Sequence, residues 1–327
     1  MTRKWGTTGD AGGRTVLVGT TRRDVLRTAV GIAALSFGRS ALQPGRAWAQ
    51  PVGDVGILRL ADDLHVLTAG STNALALTDA EGVVLVDGGP PATSQALLAA
   101  VSKLPRAGAI HTLFNTHWHP EHTGSNATLG KAGATIIAQQ NTQLWLSTDV
   151  TWPWNGETVQ PLPKQARPNK PFYTQAELKI GKSRVEYGHL RDCPHTDGDI
   201  YVSFPEQNVL AVGGALIGGA WQLPDWWTGG WIGGLVGGLE HLLKIAKPDT
   251  RIVPARGPVL THADLQQQYE MYSVVWERLA KLLYTGRGPE EAVAAAPTKE
   301  YDARMGNPDE FVRRSFRSMW AYLTPDA

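Results

Sequence analysis

The chain has 327 residues, 42 % of them hydrophobic and 19 % charged, with 36 Gly and 21 Pro. That balance suits a folded domain rich in turns and excludes a disordered chain. A formal net charge of +1 points to no nucleic-acid partner, and the single Cys excludes an intramolecular disulfide, a multi-Cys zinc site and an iron–sulfur cluster.

The charges are unevenly placed. Of the 31 basic and 30 acidic residues, eight and two fall within 1–49, leaving 23 and 28 beyond. Thr21-Arg22-Arg23-Asp24-Val25-Leu26-Arg27 resembles the twin-arginine export signal. The apolar run Thr28–Phe37 that follows is shorter than the about 20 residues of a membrane span. Ala47-Trp48-Ala49 then forms an A-x-A cleavage pattern before Gln50. This order implies a signal peptide over 1–49 and a mature chain over 50–327. It further implies the twin-arginine export machinery as a partner, a periplasmic or secreted location, and no stable membrane insertion.

In the mature chain, Gly56–Leu60, Leu64–Thr68, Ala74–Thr78 and Val83–Asp87 read as strands broken by turn residues. Thr93–Lys103 places Leu97, Leu98 and Val101 on one helical face and stops before Pro105. Ile110–Asn115 and Ala134–Ala138 are strands with a short helix between them. Ile200–Phe204 and Val209–Val212 read as a hairpin, and Arg251–Pro254 as a late strand. Thr261 is placed to cap a long helix whose Leu265, Tyr272, Trp276, Leu279 and Leu283 share one face. A last helix, about Pro308 to Leu323, is expected to bury Phe311, Phe316, Met319 and Trp320. Strands in runs, then strands alternating with helices, suggest an α/β layered sandwich.

The densest chemistry is His117-Trp118-His119-Pro120-Glu121-His122, directly after a predicted strand. Neutral imidazole nitrogen suits zinc, and a catalytic zinc needs three protein ligands and an open position. His117 and His119 alternate along an extended segment and can face one side.

His117-x-His119-x-Glu121-His122 resembles the H-x-H-x-D-H signature of the metallo-β-lactamase superfamily. Val83–Gly89, His195-Thr196-Asp197-Gly198-Asp199, Val209–Gly214 and Val253–Pro258 are similar to that family's other motif segments. The resemblance implies a four-layer αββα sandwich and a first metal on His117, His119 and His195. At the family's second-metal positions stand Glu121, His122, Gly214 and Arg256. Gly214 offers no ligand, and Arg256 is a permanent cation without a lone pair to donate. One metal is therefore expected, zinc with iron as the other option. An Asp at 214 joined to a His at 256 is expected to restore the second position.

These residues suggest a metal-dependent hydrolase of a small molecule with an ester, lactone or amide bond. Zinc would lower the pKa of a bound water and make hydroxide available. Glu121 would accept a proton or orient the water, His122 would assist, and Arg256 would bind a substrate carboxylate or stabilise an oxyanion. The alternatives are a non-catalytic accessory protein of an exported redox system and a mononuclear iron oxygenase.

Other residues keep two readings. Asp87 reads as a carboxylate behind a ligating His or as a strand-end turn residue, and Asp197 and Asp199 share that ambiguity. Cys193 reads as a small filler or a rim thiol. Trp152, Trp154, Trp221, Trp226, Trp227 and Trp231 read as a substrate wall or as loop packing. Gly229, Gly230, Gly233, Gly234, Gly237 and Gly238 suggest a helix with a smooth stripe for close contact. His65, His111, His189, His241 and His262 read as structural or exposed.

Overall fold

In the computed structural model, residues 55–323 are described. The signal-peptide expectations, at Arg22-Arg23, Ala47–Ala49 and the Gln50 boundary, lie outside them.

Strict alternation builds the first sheet. β1 (Val55–Arg59), β2 (Leu64–Ala69), β3 (Thr72–Asp79) and β4 (Gly82–Val86) pair antiparallel in chain order. Leu64, Val66, Leu75, Leu77, Val84 and Val86 face one core, and Leu67, Ala69, Ala74, Ala76, Val83 and Leu85 face another. Successive side chains of a strand leave by opposite faces, so this sheet is buried on both. Helix α1 (Ser94–Val101) lays Leu97 and Val101 on the outer face and delivers the chain to β5 (Ile110–Phe114), parallel to β4. Two short helices, α2 (Pro120–Thr123) and α3 (Asn126–Lys131), lead to β6 (Thr135–Gln139), parallel to β5. After α4 (Gln140–Trp145) and a small ribbon of β7 (Val150–Thr151) and β8 (Thr158–Val159), β9 (Lys170–Phe172) completes the sheet beside β6.

The second sheet runs β10 (Gln175–Ile180), β11 (Ser183–His189), β12 (Ile200–Phe204) and β13 (Val209–Ile217), all antiparallel. Helix α5 (Ile232–Ile245) crosses over to β14 (Arg251–Arg256), which lies parallel to β13. Helices α6 (His262–Tyr284), α7 (Pro289–Ala294), α8 (Asp302–Met305) and α9 (Asp309–Leu323) follow, with Thr261 and Asp264 forming a reciprocal cap on α6.

The cores define the layers. Val185, Tyr187, Val202, Phe204 and Val253 of the second sheet meet the inner face of the first. On the far side Leu210, Val212 and Ile252 pack under α5, α6 and α9 through Leu239, Tyr272, Leu279, Phe311 and Phe316. The order is helix, sheet, sheet, helix: the expected αββα sandwich. Among the described residues no helix is long and apolar enough to cross a membrane.

Three expectations are corrected. The strand at Val209 continues to Ile217. Trp320 is 42 % exposed rather than buried, its ring against Phe316. Gly229 and Gly230 precede α5 instead of lying in it, with Gly229 at φ 90°, a left-handed turn that favours glycine.

Candidate metal centre

The chemistry gathers where strands end. Asp87 follows β4, Thr116 to His119 follow β5, His195 sits on the loop from β11 to β12, and Arg256 closes β14. In open α/β sheets such carboxyl ends form the crevice that holds ligands.

Asp87 adopts φ 62° and is buried. One of its carboxylate oxygens accepts from the Thr116 backbone N at 2.8 Å, the other from Thr116 Oγ1 and His122 Nδ1, each at 2.8 Å. It thus pins the motif loop and one motif His at once. Since Thr116 Oγ1 spends its proton on Asp87, it accepts from His117 Nδ1 at 3.1 Å.

The other two rings are fixed in the same manner. His119 donates from Nε2 to Asp225 Oδ2 at 2.9 Å, and His195 from Nδ1 to the Leu223 carbonyl at 2.9 Å. With those nitrogens occupied, His117 Nε2, His119 Nδ1 and His195 Nε2 are left with lone pairs. The three rings offer ligand atoms within 4.8 Å of one another. His119 Nδ1 and His195 Nε2 stand 3.1 Å apart. Two lone pairs so close repel unless a proton or cation lies between them, and two nitrogens on one tetrahedral zinc are about 3.3 Å apart. The donor set fits a metal ion.

Electrostatics agree. Burial, then the neighbouring imidazoles, hold His117 well below the ordinary histidine value, and burial with His119 takes His195 down to about 3. Burial also works against the charged form of His119, but the Asp225 hydrogen bond and charge outweigh it and raise that ring. Two of the three rings are therefore held neutral, the form that ligates.

Glycines permit the approach. A Cβ on Gly214 would meet His195 Cδ2 at 2.4 Å and His117 Cε1 at 3.2 Å. One on Gly230 would meet the His195 carbonyl at 1.9 Å, and one on Gly234 the Asp192 carbonyl at 1.8 Å. The glycine stripe is where α5 and its leading turn press against the loop that carries His195. The Gly214 contact also corrects the expectation that Asp at 214 helps to restore a second metal position: its Cβ would displace His195.

Glu121 and Arg256 face the same cleft and bind each other, Nη2 donating to Oε1 at 2.7 Å. Burial opposes the Glu121 charge, yet His119, His122, a backbone hydrogen bond and Arg256 bring its carboxyl down to about 2. The cleft holds about 330 Å³ and is walled by Trp152, Trp154, Trp221 and Leu223.

A family model described as the metallo-beta-lactamase superfamily matches residues 67–255, more than half of the chain. The chain belongs to the metallo-beta-lactamase superfamily. Its members bind metal ions and are mostly hydrolases. The fold is similar to that of a metallo-beta-lactamase from Pontibacter korlensis, at 17 % identity and TM-score 0.53 over 67 % of this chain and 99 % of that one. DIM-1 metallo-beta-lactamase gives 16 % and 0.53 over 68 % and 99 %. The stereoselective inverting sec-alkylsulfatase Pisa1 from Pseudomonas sp. gives 13 % and 0.60 over 80 % of this chain, which spans 50 % of that one. No curated protein matches.

Within this superfamily fold, sequence reasoning missed Asp225, the buried carboxylate behind His119. Its local signal was Asp225 opening a turn, where it accepts from the Thr228 backbone N at 3.2 Å; nothing in the sequence tied it to His119, 106 residues earlier. Of the ambiguous residues, Asp199 accepts from the backbone N of His195 and Thr196, and Asp197 from Trp145 Nε1, so both shape the His195 loop. Burial pushes the Cys193 thiol up to about 12, consistent with a filler. Trp152, Trp154 and Trp221 line the cleft, whereas Trp231 stacks on Tyr322 and Trp227 is exposed.

Proposed function

We propose that this protein is a metal-dependent hydrolase with a single zinc ion on His117, His119 and His195, acting on an ester, lactone or amide of a small molecule. The observation that carries the reading is the pair of facing ring nitrogens, His119 Nδ1 and His195 Nε2, 3.1 Å apart in the indole-walled cleft, with the other nitrogen of each ring already hydrogen-bonded. Zinc there supplies Lewis acidity and, from water, a nucleophile at neutral pH.

The chain's own residues divide the remaining work. Asp225, Leu223 and Thr116 hold the three ligand rings in one tautomer each. His122, its Nδ1 spent on Asp87, keeps Nε2 to accept a proton in the cleft. Glu121, drawn low by its cationic neighbours, serves as an acceptor that orients water. Arg256 keeps N–H groups beyond the one used on Glu121, and these can meet a developing oxyanion or a substrate carboxylate. Gly214 supplies no second-metal ligand, and the Arg256 guanidinium holds the Glu121 carboxylate, which favours one ion over two.

We extend the proposal to location: residues 1–49 direct export by the twin-arginine route to the periplasm or beyond. Replacing Arg22 and Arg23 by Lys should retain the precursor inside the cell; unimpaired export would remove this part.

The test of the activity is metal analysis of the purified protein with a turnover screen over esters, lactones and β-lactams. One equivalent of zinc with turnover is expected. Metal-free protein that stays inert when zinc is added would instead favour the accessory, non-catalytic reading.

A further inference from the structure

The cleft leaves the metal centre along a row of rings. The Trp152 ring stands edge-on to His119, 5.7 Å between centroids, and Trp154 stacks on Trp152 at 5.8 Å and 24°. At the end of the row the Arg314 guanidinium lies over the Trp154 ring, 4.0 Å from its centroid. Arg314 reaches the cleft from α9, far along the chain from every other residue of the site, and lines it together with both indoles.

Arg314 is only partly committed. Its Nε donates to Glu310 Oε1 at 2.6 Å, one helical turn earlier, and no bond from either Nη is found among the described residues. Stacking on Trp154 fixes the guanidinium plane without using its N–H groups. Arg313 and Arg317 of α9 border an adjoining cavity with Trp154, Trp226 and Glu310; Arg313 is held by Glu290, through Nε to both carboxylate oxygens and through Nη2 to Oε2.

We infer that the cleft takes a substrate with a planar or apolar body and an anionic terminal group, the body lying along Trp152 and Trp154 and the anion, of the carboxylate class, received by Arg314. This deepens the hydrolase reading and rests on it for the word substrate; the binding subsite stands without it. Arg314 is a specificity residue, remote from the reacting bond.

Two measurements separate the claims. The first is calorimetric binding of 2-naphthoate and its neutral isostere 2-naphthamide to the metal-replete protein. Naphthoate should bind about tenfold more tightly, the low end of what one hydrogen bond to a charged group contributes. Arg314→Gln should erase that preference while leaving naphthamide unchanged. Glu310→Gln, which removes the competing carboxylate, should enlarge it. A naphthoate preference that survives Arg314→Gln places the anion on the metal or on Arg256 and overturns the inference, as does a drop in thermal stability of the variant with the preference intact. The second is hydrolysis of 4-nitrophenyl hydrogen suberate against 4-nitrophenyl octanoate, the acyl chain long enough to follow both indoles. The acid ester should show the lower KM, and Arg314→Gln should equalise the two. If neither ester turns over but the naphthoate preference depends on Arg314, the subsite stands and the hydrolase reading falls. If both turn over equally in the unmodified protein and naphthoate is not preferred, the hydrolase stands and the subsite falls.

Discussion

Arg256, at the end of β14, and Glu121, in the first turn of α2, close an ion pair of 2.7 Å inside the cleft, beside the three-histidine cluster. Under the single-ion reading proposed above, the pair sets a permanent cation beside the cluster and occupies the motif carboxylate that a second ion would use. Both side chains are partly solvated, 40 % and 31 % exposed, so the pair matters less for stability than for which ions the cleft accepts.

Replacing Arg256 by His removes that charge and frees Glu121. Two like charges about 4 Å apart repel by roughly 4 kcal/mol at an effective dielectric of 20, and screening by solvent at this partly exposed site reduces the effect to roughly a third of that. Arg256→His should therefore tighten a second zinc by about tenfold or more, since 1.4 kcal/mol is tenfold. Adding Gly214→Asp should not help: its Cβ would stand 2.4 Å from His195 Cδ2, so the double variant should lose first-site affinity. Competition with a zinc chelator reads both effects.

Asp225→Asn keeps the shape behind His119 but removes the charge. Loss of such a partner behind a ligating His weakens metal binding by about 10- to 100-fold. The change should appear in zinc affinity with the circular-dichroism spectrum unaltered; unchanged affinity would show that Asp225 merely shapes its turn.

Metal loading should depend on pH through His119. His117 and His195 are held neutral, their values lowered, so they bring few protons to give up near pH 7. His119 has a raised value, so near neutrality it is partly protonated and must release that proton to ligate. Zinc affinity should fall as pH drops through the His119 value, up to tenfold per pH unit below it, with close to one proton released per ion there. Calorimetry in buffers of different ionisation enthalpy measures the release. Asp225→Asn should shift the dependence to lower pH.

Two glycines of α5 should behave differently on substitution by Ala. Ala at 234 places Cβ 1.8 Å from the Asp192 carbonyl, a backbone atom on the His195 loop. Gly234→Ala should cost about 2–4 kcal/mol, the range of severe packing faults, and weaken zinc binding. Ala at 237 meets the exposed Asp192 side chain, which can swing away. Gly237→Ala should be neutral or gain up to about 1 kcal/mol of helix propensity. Thermal denaturation with and without zinc distinguishes the two.

These contrasts show what could be read from the sequence. β1 to β6 and β12 to β14 announce themselves because they are apolar and bounded by turns, and the motif histidines because they are dense. β10 and β11 gave no such signal: Gln175–Ile180 is an edge strand with most residues exposed, and its alternation is weak. The glycine stripe was legible as a close-contact surface but not its object, since the partner is a loop backbone with no sequence signature. Asp225 and Arg314 escaped for the same reason. Each acts on a residue more than a hundred positions away, and only the packing of α9 and the turn before α5 brings them to the cleft.

The single-zinc site is tested most directly by a calorimetric zinc titration of the metal-stripped protein beside its His195→Ala variant. One tight site per chain is expected, with most of the affinity lost in the variant. Two tight sites in the unmodified protein, or full affinity in the variant, would contradict it.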